Sequence, residues 1–391
     1  MRDLPDPHLS LHDASDYIFG SQLVRIALAD PHPRNLAVLI RDVIVLIHRL
    51  TVSCQLAEFT EHGLPHLCSL IDRIDRWTIP STGASPSSIV SGMTAGEAGQ
   101  LVLAVLFHDI GMLSQRPDDM PGAAPVWESR GTRDLATWVR ETHVRRMKQL
   151  LRRSFTGSPL APTLEDNAVV SAMTIAESHS SWPWEPPFST LQPREAGLAA
   201  MLAISDLLDE DSNRCDIATL INHRWGTDMN RAHWIRHGLT QGRVLIVEDT
   251  INVKIVAPPG TGGQLTPVFA GLRNHFRLAL LYREALNPFS GAGLNAEFNT
   301  PNGCPVAMAQ DLVGWNRIPG FGSESALAYH LLSSFMPIGL LDPKRVDPAT
   351  LARTACANLE QVDLALFHKI HGESEPRSAD EHVFRALDVT S

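Results

Sequence analysis

Seventeen histidines in 391 residues is a high number for a chain of this length, and several of them interrupt apolar surfaces. The segment Gln100-Met112, QLVLAVLFHDIGM, reads as an apolar helix that delivers His108 and Asp109 at its last turn, with Gly111 placed to end it. Burying two ionisable side chains costs several kcal/mol unless each is paired, hydrogen-bonded or bound to a metal. Their position is therefore informative in a way that the dipeptide alone is not. A second His-Asp pair, His12-Asp13, lies in a polar N-terminal stretch and reads as chance.

Four more residues break apolar stripes in the same manner. Stepping one turn at a time from His66 reaches Leu70, Ile74 and Trp77. His143 occupies a leucine-like position in the stripe Leu135, Val139, Met147 and Leu151. His179 follows Ala172, Ile175 and Ala176 at helical spacing, and Asp206 lies on the stripe of Leu198 and Leu202. A lone core-facing histidine is most often a hydrogen-bonded structural residue, and a lone Asp often caps a neighbouring helix. Three imidazoles on separate helices, a His-Asp pair and a further Asp are explained together by convergence around divalent metal, one or two ions. Imidazole and carboxylate donors without thiolate suit Mn, Fe, Zn, Ni or Mg. His62 and His66 are both available in EHGLPHL. His66 sits on the helix and is the expected ligand, and His62, in the turn, is expected to contact substrate or orient a ligand.

The elements that must position these residues are helical. Apolar residues recur at three- and four-residue spacing in Leu36-Leu50, His66-Trp77, Glu97-Phe107, Arg133-Arg152, Asn167-His179 and Glu195-Asp209. Breaker-rich loops separate them at Pro80-Ser91, Gln115-Pro125 and Ser181-Pro193. Arg243-Val256 reads as two β-branched runs around Glu248-Asp249-Thr250, a short hairpin, and Pro258-Gly263 reads as a turn without the Lys-Ser/Thr of a phosphate loop. Helices are expected again at Val268-Ala285 and Leu351-His368, with an irregular stretch near Asn287-Gly322. The fold class is mainly α, a helical bundle with a small β-hairpin and a helical C-terminal region. The expected division is an N-terminal helical extension over 1-54, a metal-binding domain over 55-235, and a C-terminal region of unassigned role over 236-391.

The composition narrows the partners. With 44% hydrophobic and 19% charged residues the chain is globular, and its net charge of -10 disfavours a broad grip on nucleic-acid backbone. Five cysteines without a CxxC pair argue against a zinc ribbon or a disulfide scaffold and fit a reducing cytoplasm. No segment reads as a signal core or a membrane span. Arg145, Arg146, Arg152 and Arg153 crowd the His143 helix, and Arg146 is the candidate to meet a phosphate. The acids Asp209, Glu210 and Asp211 read as a solvated helix end, although Asp209 lies within a turn of Asp206 and could orient a metal water.

The order His66, then His108-Asp109, then Asp206 on successive helices resembles the HD superfamily of metal-dependent phosphohydrolases. FTEHGLPHLCSLI, LFHDIGM and LAISDLLDED carry the likeness, which covers residues 55-215. It implies an HD-type bundle in which His66, His108, Asp109 and Asp206 bind one metal, and His143 and His179 match the additional histidines of two-metal members. The resemblance further implies hydrolysis of a phosphate ester in a nucleotide or cyclic nucleotide by metal-activated water. Asp109 would bridge the ions and His62 would protonate the leaving oxygen. The alternatives are a metal-dependent nuclease, an iron-dependent oxygenase of the kind found among a few relatives, and a nucleotide sensor or partner module without turnover. The partners implied are a small phosphate substrate, with a second copy of the chain or an ATPase or signalling protein as further candidates.

Overall fold

The computed structural model of the protein describes residues 9–53, 59, 62–79, 86–113, 132–181, 183–210, 214, 237, 244–247, 250–253, 278–290 and 295–298. These fall into two compact units. The first lies within Met1–Asp209, Leu245–Thr250 and Tyr282–Leu294, and the second within Glu210–Val244, Ile251–Leu281 and Asn295–Ser391.

The first unit is a helical bundle, as the periodicity predicts. Its helices are α1 (Leu11–Phe19), α2 (Gln22–Ala29), α3 (Leu36–Ser53), α4 (Leu64–Arg76), α5 (Ala95–Phe107), α6 (Thr132–Phe155), α7 (Asn167–Ser178) and α8 (Pro193–Leu207). Serines cap the first two, with Ser10 Oγ accepting from Asp13 N–H and Ser21 Oγ from Val24 N–H, each at 3.1 Å. Between α4 and α5, the strands β1 (Thr78–Ile79) and β2 (Ser87–Ser88) pair antiparallel, Thr78 opposite Ser88.

The core is built around α5. Every residue from Leu101 to Phe107 is buried, so this helix is apolar on all sides and must be surrounded. α2 and α7 pack most extensively against it, and α3, α4 and α8 complete the shell. A buried side chain of α5 such as Leu103 is worth about 2–5 kcal/mol against alanine. The start of α5 is a reciprocal cap, with Thr94 Oγ1 accepting from Glu97 N–H at 3.2 Å and Glu97 Oε2 accepting from Thr94 N–H at 2.8 Å. Because α1 and α2 pack on α4 and α5, the N-terminal segment shares one core with the helices that carry the chemistry.

Strands β3 (Leu245–Val247) and β4 (Thr250–Val253) coincide with the two expected β-branched runs. The described part of Val268-Ala285 is a 3-10 helix, Leu278–Leu286. The stretch expected to be irregular contains a helical turn at Asn287–Ser290 and the strand β5 (Asn295–Phe298). Four-residue elements are too short to print a period on the sequence. In the second unit, His237 Nδ1 lies 3.3 Å from Glu210 Oε2, both side chains buried. The readings on Gln115-Pro125, Pro258-Gly263 and Leu351-His368 lie outside the described residues. No helix among the described residues is long and apolar enough to cross a membrane.

Candidate metal centre

All six residues singled out by their intrusion on apolar stripes lie in the first unit. Pro65 stands in the first turn of α4, which puts His66 one residue later, at the start of the stripe Leu70, Ile74 and Trp77, all buried. α5 ends at Phe107, and a tight turn follows, held by Ile110 N–H on Phe107 O at 3.1 Å and Met112 N–H on Asp109 O at 2.8 Å. His108 and Asp109 are presented from this turn. Gly111 does not act there as a left-handed cap. A Cβ on Gly111 would lie 2.0 Å from the carbonyl oxygen of His143, so glycine lets α6 pass against the turn and brings His143 to Asp109. His179 directly follows α7, and Asp206 lies in the last turn of α8.

The carboxylate of Asp109 is divided between two groups. Its Oδ2 faces His108 Nε2 at 3.3 Å and the Nε2 atoms of His66 and His62 at 3.8 Å. Its Oδ1 faces His143 Nε2 at 3.6 Å and His179 Nε2 at 3.8 Å. Asp206 Oδ1 closes the first group, 3.5 Å from His66 Nε2 and 3.8 Å from His108 Nε2. The donor atoms of His66, His108, Asp109 and Asp206 all lie within 4.8 Å of one another, as do those of Asp109, His143 and His179, and each set could hold a metal ion.

Charge density in the cluster shows in its titration. Burial presses the His108 imidazolium down, yet Asp109 and Asp206 outweigh it and raise His108 from 6.5 to about 10. Burial likewise opposes ionisation of Asp109 and Asp206, but His108 beside them holds both carboxyls below their ordinary range. His143 goes the other way: burial lowers it to about 4, only partly offset by Asp109. His179 is also lowered by burial, and by the charge of His108.

These residues fit a divalent ion on three grounds. Donors bound at about 2.0–2.2 Å in a tetrahedron stand about 3.4 Å apart, near the separations found here. His143 Nε2 is buried without a hydrogen-bond partner, a cost that a bound cation removes. The donors are imidazole and carboxylate, and Cys68, buried, lies 3.9 Å from Ala14 O rather than in the cluster.

The remaining sequence candidates are placed as follows. His62 stands at the edge, its ring centroid 5.8 Å from that of His66, and keeps 14% of its side chain exposed against none for His66. Arg146 is fully buried and is turned onto its own helix. Its guanidinium lies 4.7 Å over the Trp138 ring, with Nε on Thr142 Oγ1 at 3.1 Å and Nη2 on Val139 O at 3.3 Å. His12, as its polar context implies, lies at the surface, 83% exposed.

Sequence reasoning left two partners without their place in the site. Asp209, read as part of a solvated helix end, is buried and receives His66, Ser69 and Arg73 from α4. Tyr282 donates its hydroxyl to Ser181 O at 3.1 Å, two residues after His179, and burial with the charges of Asp206 and Glu185 pushes its phenol up. Only the acid run at the end of α8 carried any hint of Asp209. A cavity of about 260 Å³ beside Tyr17, Arg25, Asp72 and Asp75 shares no residue with the cluster. Its acids are engaged, Asp72 with Tyr17 and Arg76 and Asp75 with the N–H groups of Gln22 and Leu23.

Among known proteins, neither a curated protein nor a solved structure matches the chain. A family model described as HD-CE matches residues 56–259, just over half of the chain, and spans all six clustered residues. With a helical bundle and a His-Asp cluster in that span, the chain belongs to the HD-CE family and carries an HD-type domain.

Proposed function

We propose that the protein is a metal-dependent phosphohydrolase acting on a small phosphate ester, a nucleotide or cyclic nucleotide. The observation that carries this reading is the division of Asp109, with one oxygen toward His66 and His108 and the other toward His143 and His179. His66, His108, Asp109 and Asp206 would hold one ion, and Asp109, His143 and His179 a second. Divalent ions held by these residues would lower the pKa of a bound water toward neutrality and polarise a phosphoryl oxygen. Such chemistry would need no side-chain nucleophile, and among the described residues the two groups contain only histidine and aspartate.

The other tasks fall to the residues around it. Asp206 and His62 are the more exposed members, with 29% and 14% of their side chains open, so substrate is assigned to their side. His62 is assigned the proton for the leaving oxygen. His143 and His179, buried and held by their own helices, keep their rings fixed as substrate arrives. The net charge of -10 favours a small phosphate over a polyanion.

The test is to strip the protein with chelator and reload it separately with Mn, Fe, Zn, Ni or Mg. Each form is offered nucleoside mono-, tri- and cyclic phosphates beside single-stranded DNA and RNA. Turnover of small phosphates by at least one form is expected. Cleavage of nucleic acid alone would replace this reading by a nuclease, and no turnover by any form would reject hydrolysis.

A further inference from the structure

We infer that Asp209 and Arg73 form a positioning lock that sets the His66 ring and the end of α8 that carries Asp206 as one unit. The inference rests on the reading of the cluster as a metal site and adds a residue pair that does not itself touch the ions.

Of the five histidines that turn Nε2 toward Asp109, His66, His108, His143 and His179 belong to the two metal groups, and three of these four are aimed locally. Nδ1 of His108, His143 and His179 each donates to the carbonyl three residues earlier, Val105 at 2.8 Å, Arg140 at 2.5 Å and Ala176 at 2.5 Å. His66 is aimed from another element. It stands in the first turn of α4, where the carbonyl three residues earlier belongs to Gly63 and closes the first helical hydrogen bond with Leu67 N–H at 3.2 Å. Its Nδ1 instead meets Asp209 Oδ2 at 2.6 Å, across 143 positions of sequence.

Asp209 is held in turn. Its Oδ1 accepts from Ser69 Oγ at 2.5 Å and Arg73 Nη2 at 3.1 Å, and its side chain is fully buried. His66, Ser69 and Arg73 follow one another at three and four residues, so they share a face of α4. Arg73 Nη1 also donates to Ser205 O at 2.9 Å, the carbonyl just before Asp206. A single guanidinium thus ties the carboxylate that aims His66 to the backbone that carries Asp206. An ionised carboxylate only accepts, so the proton of the His66 contact lies on Nδ1 and the Nε2 lone pair faces Asp109 and Asp206.

The lock serves the four-residue group alone. Chelator-stripped full-length protein titrated with Mn²⁺ should bind in two steps. In D209N the tighter step should weaken by roughly 10–100-fold, and the second should stay within about threefold. Equal weakening of both steps, or of neither, would overturn the inference. The His66 tautomer gives an independent reading on metal-free wild type, by ¹⁵N NMR with the signal assigned from its loss in H66Q. The Nδ1–H form is expected, and the Nε2–H form would overturn the lock even where D209N fails to fold. Wild type that binds no divalent ion would reject the metal reading instead, with the tautomer still deciding whether Asp209 aims His66.

Discussion

The two sides of Asp109 use the same side chain, histidine, in opposite electrostatic settings. On one side, His66 and His108 share their space with two carboxylates, and His108 is raised to about 10. On the other, His143 and His179 face a single carboxylate oxygen each, and burial dominates, taking His143 down to about 4. Without a cation, the first side therefore holds a proton at neutral pH and the second holds neutral rings. The difference follows from the ratio of carboxylate to imidazole, since all four histidines are buried. In the proposed reading, the first ion must displace a proton and the second need not.

The largest effect should come from removing the residue common to both sides. D109A is expected to lose both ions and at least a thousandfold in hydrolysis, about 4 kcal/mol of barrier, with the helical circular-dichroism signal retained. Next is G111A, because a methyl there meets the His143 carbonyl at 2.0 Å and must push α6 away. It should cost about 1–3 kcal/mol in denaturant unfolding and weaken only the second Mn²⁺ step. Equal loss at both steps would show that the two sides are not separable.

The pH dependence sharpens the comparison further. In chelated protein, the raised His108 adds stability that is present below about 6.5 and lost as pH rises through about 10. The lowered His143 works at the other end, with stability lost as pH falls from about 6.5 through about 4. The depressed carboxyls of Asp109 and Asp206 add a further loss in stronger acid. The melting temperature of chelated protein should therefore peak near pH 6.5, and loaded protein should lose the alkaline decline. Calorimetry near pH 7.5 in buffers of different ionisation enthalpy should find about one proton released with the first ion and none with the second.

The smallest effect belongs to a contact remote from Asp109. Arg194 pairs with Glu97 and lies 4.2 Å over the Phe289 ring, but it is 45% exposed. After solvent screening, R194A should cost at most about 1 kcal/mol. It should lower the melting temperature slightly and leave both Mn²⁺ steps unchanged.

What the sequence made legible has a local cause. His66, His108, His143, His179 and Asp206 stand where helical spacing demands an apolar residue, and such a conflict can be read within one helix. Asp209 could not be read this way. DLLDED looks like a solvated acidic end, and only contact with Arg73, Ser69 and His66, more than 130 residues upstream, buries it. Gly111 shows the same limit, because a glycine after a helix fits a cap as well as a close approach, and the deciding atom lies on another helix. Tyr282 enters from a segment beyond the span of the family match, where no spacing ties it to His179. Helix type and stripe were thus recoverable, and long-range polar pairing was not.

The most direct measurement is the number of manganese ions retained per chain after equilibrium dialysis, determined by elemental analysis. The account predicts two for wild type, one for the double variant H143A/H179A and none for D109A. Two ions in D109A, or none in wild type, would contradict it.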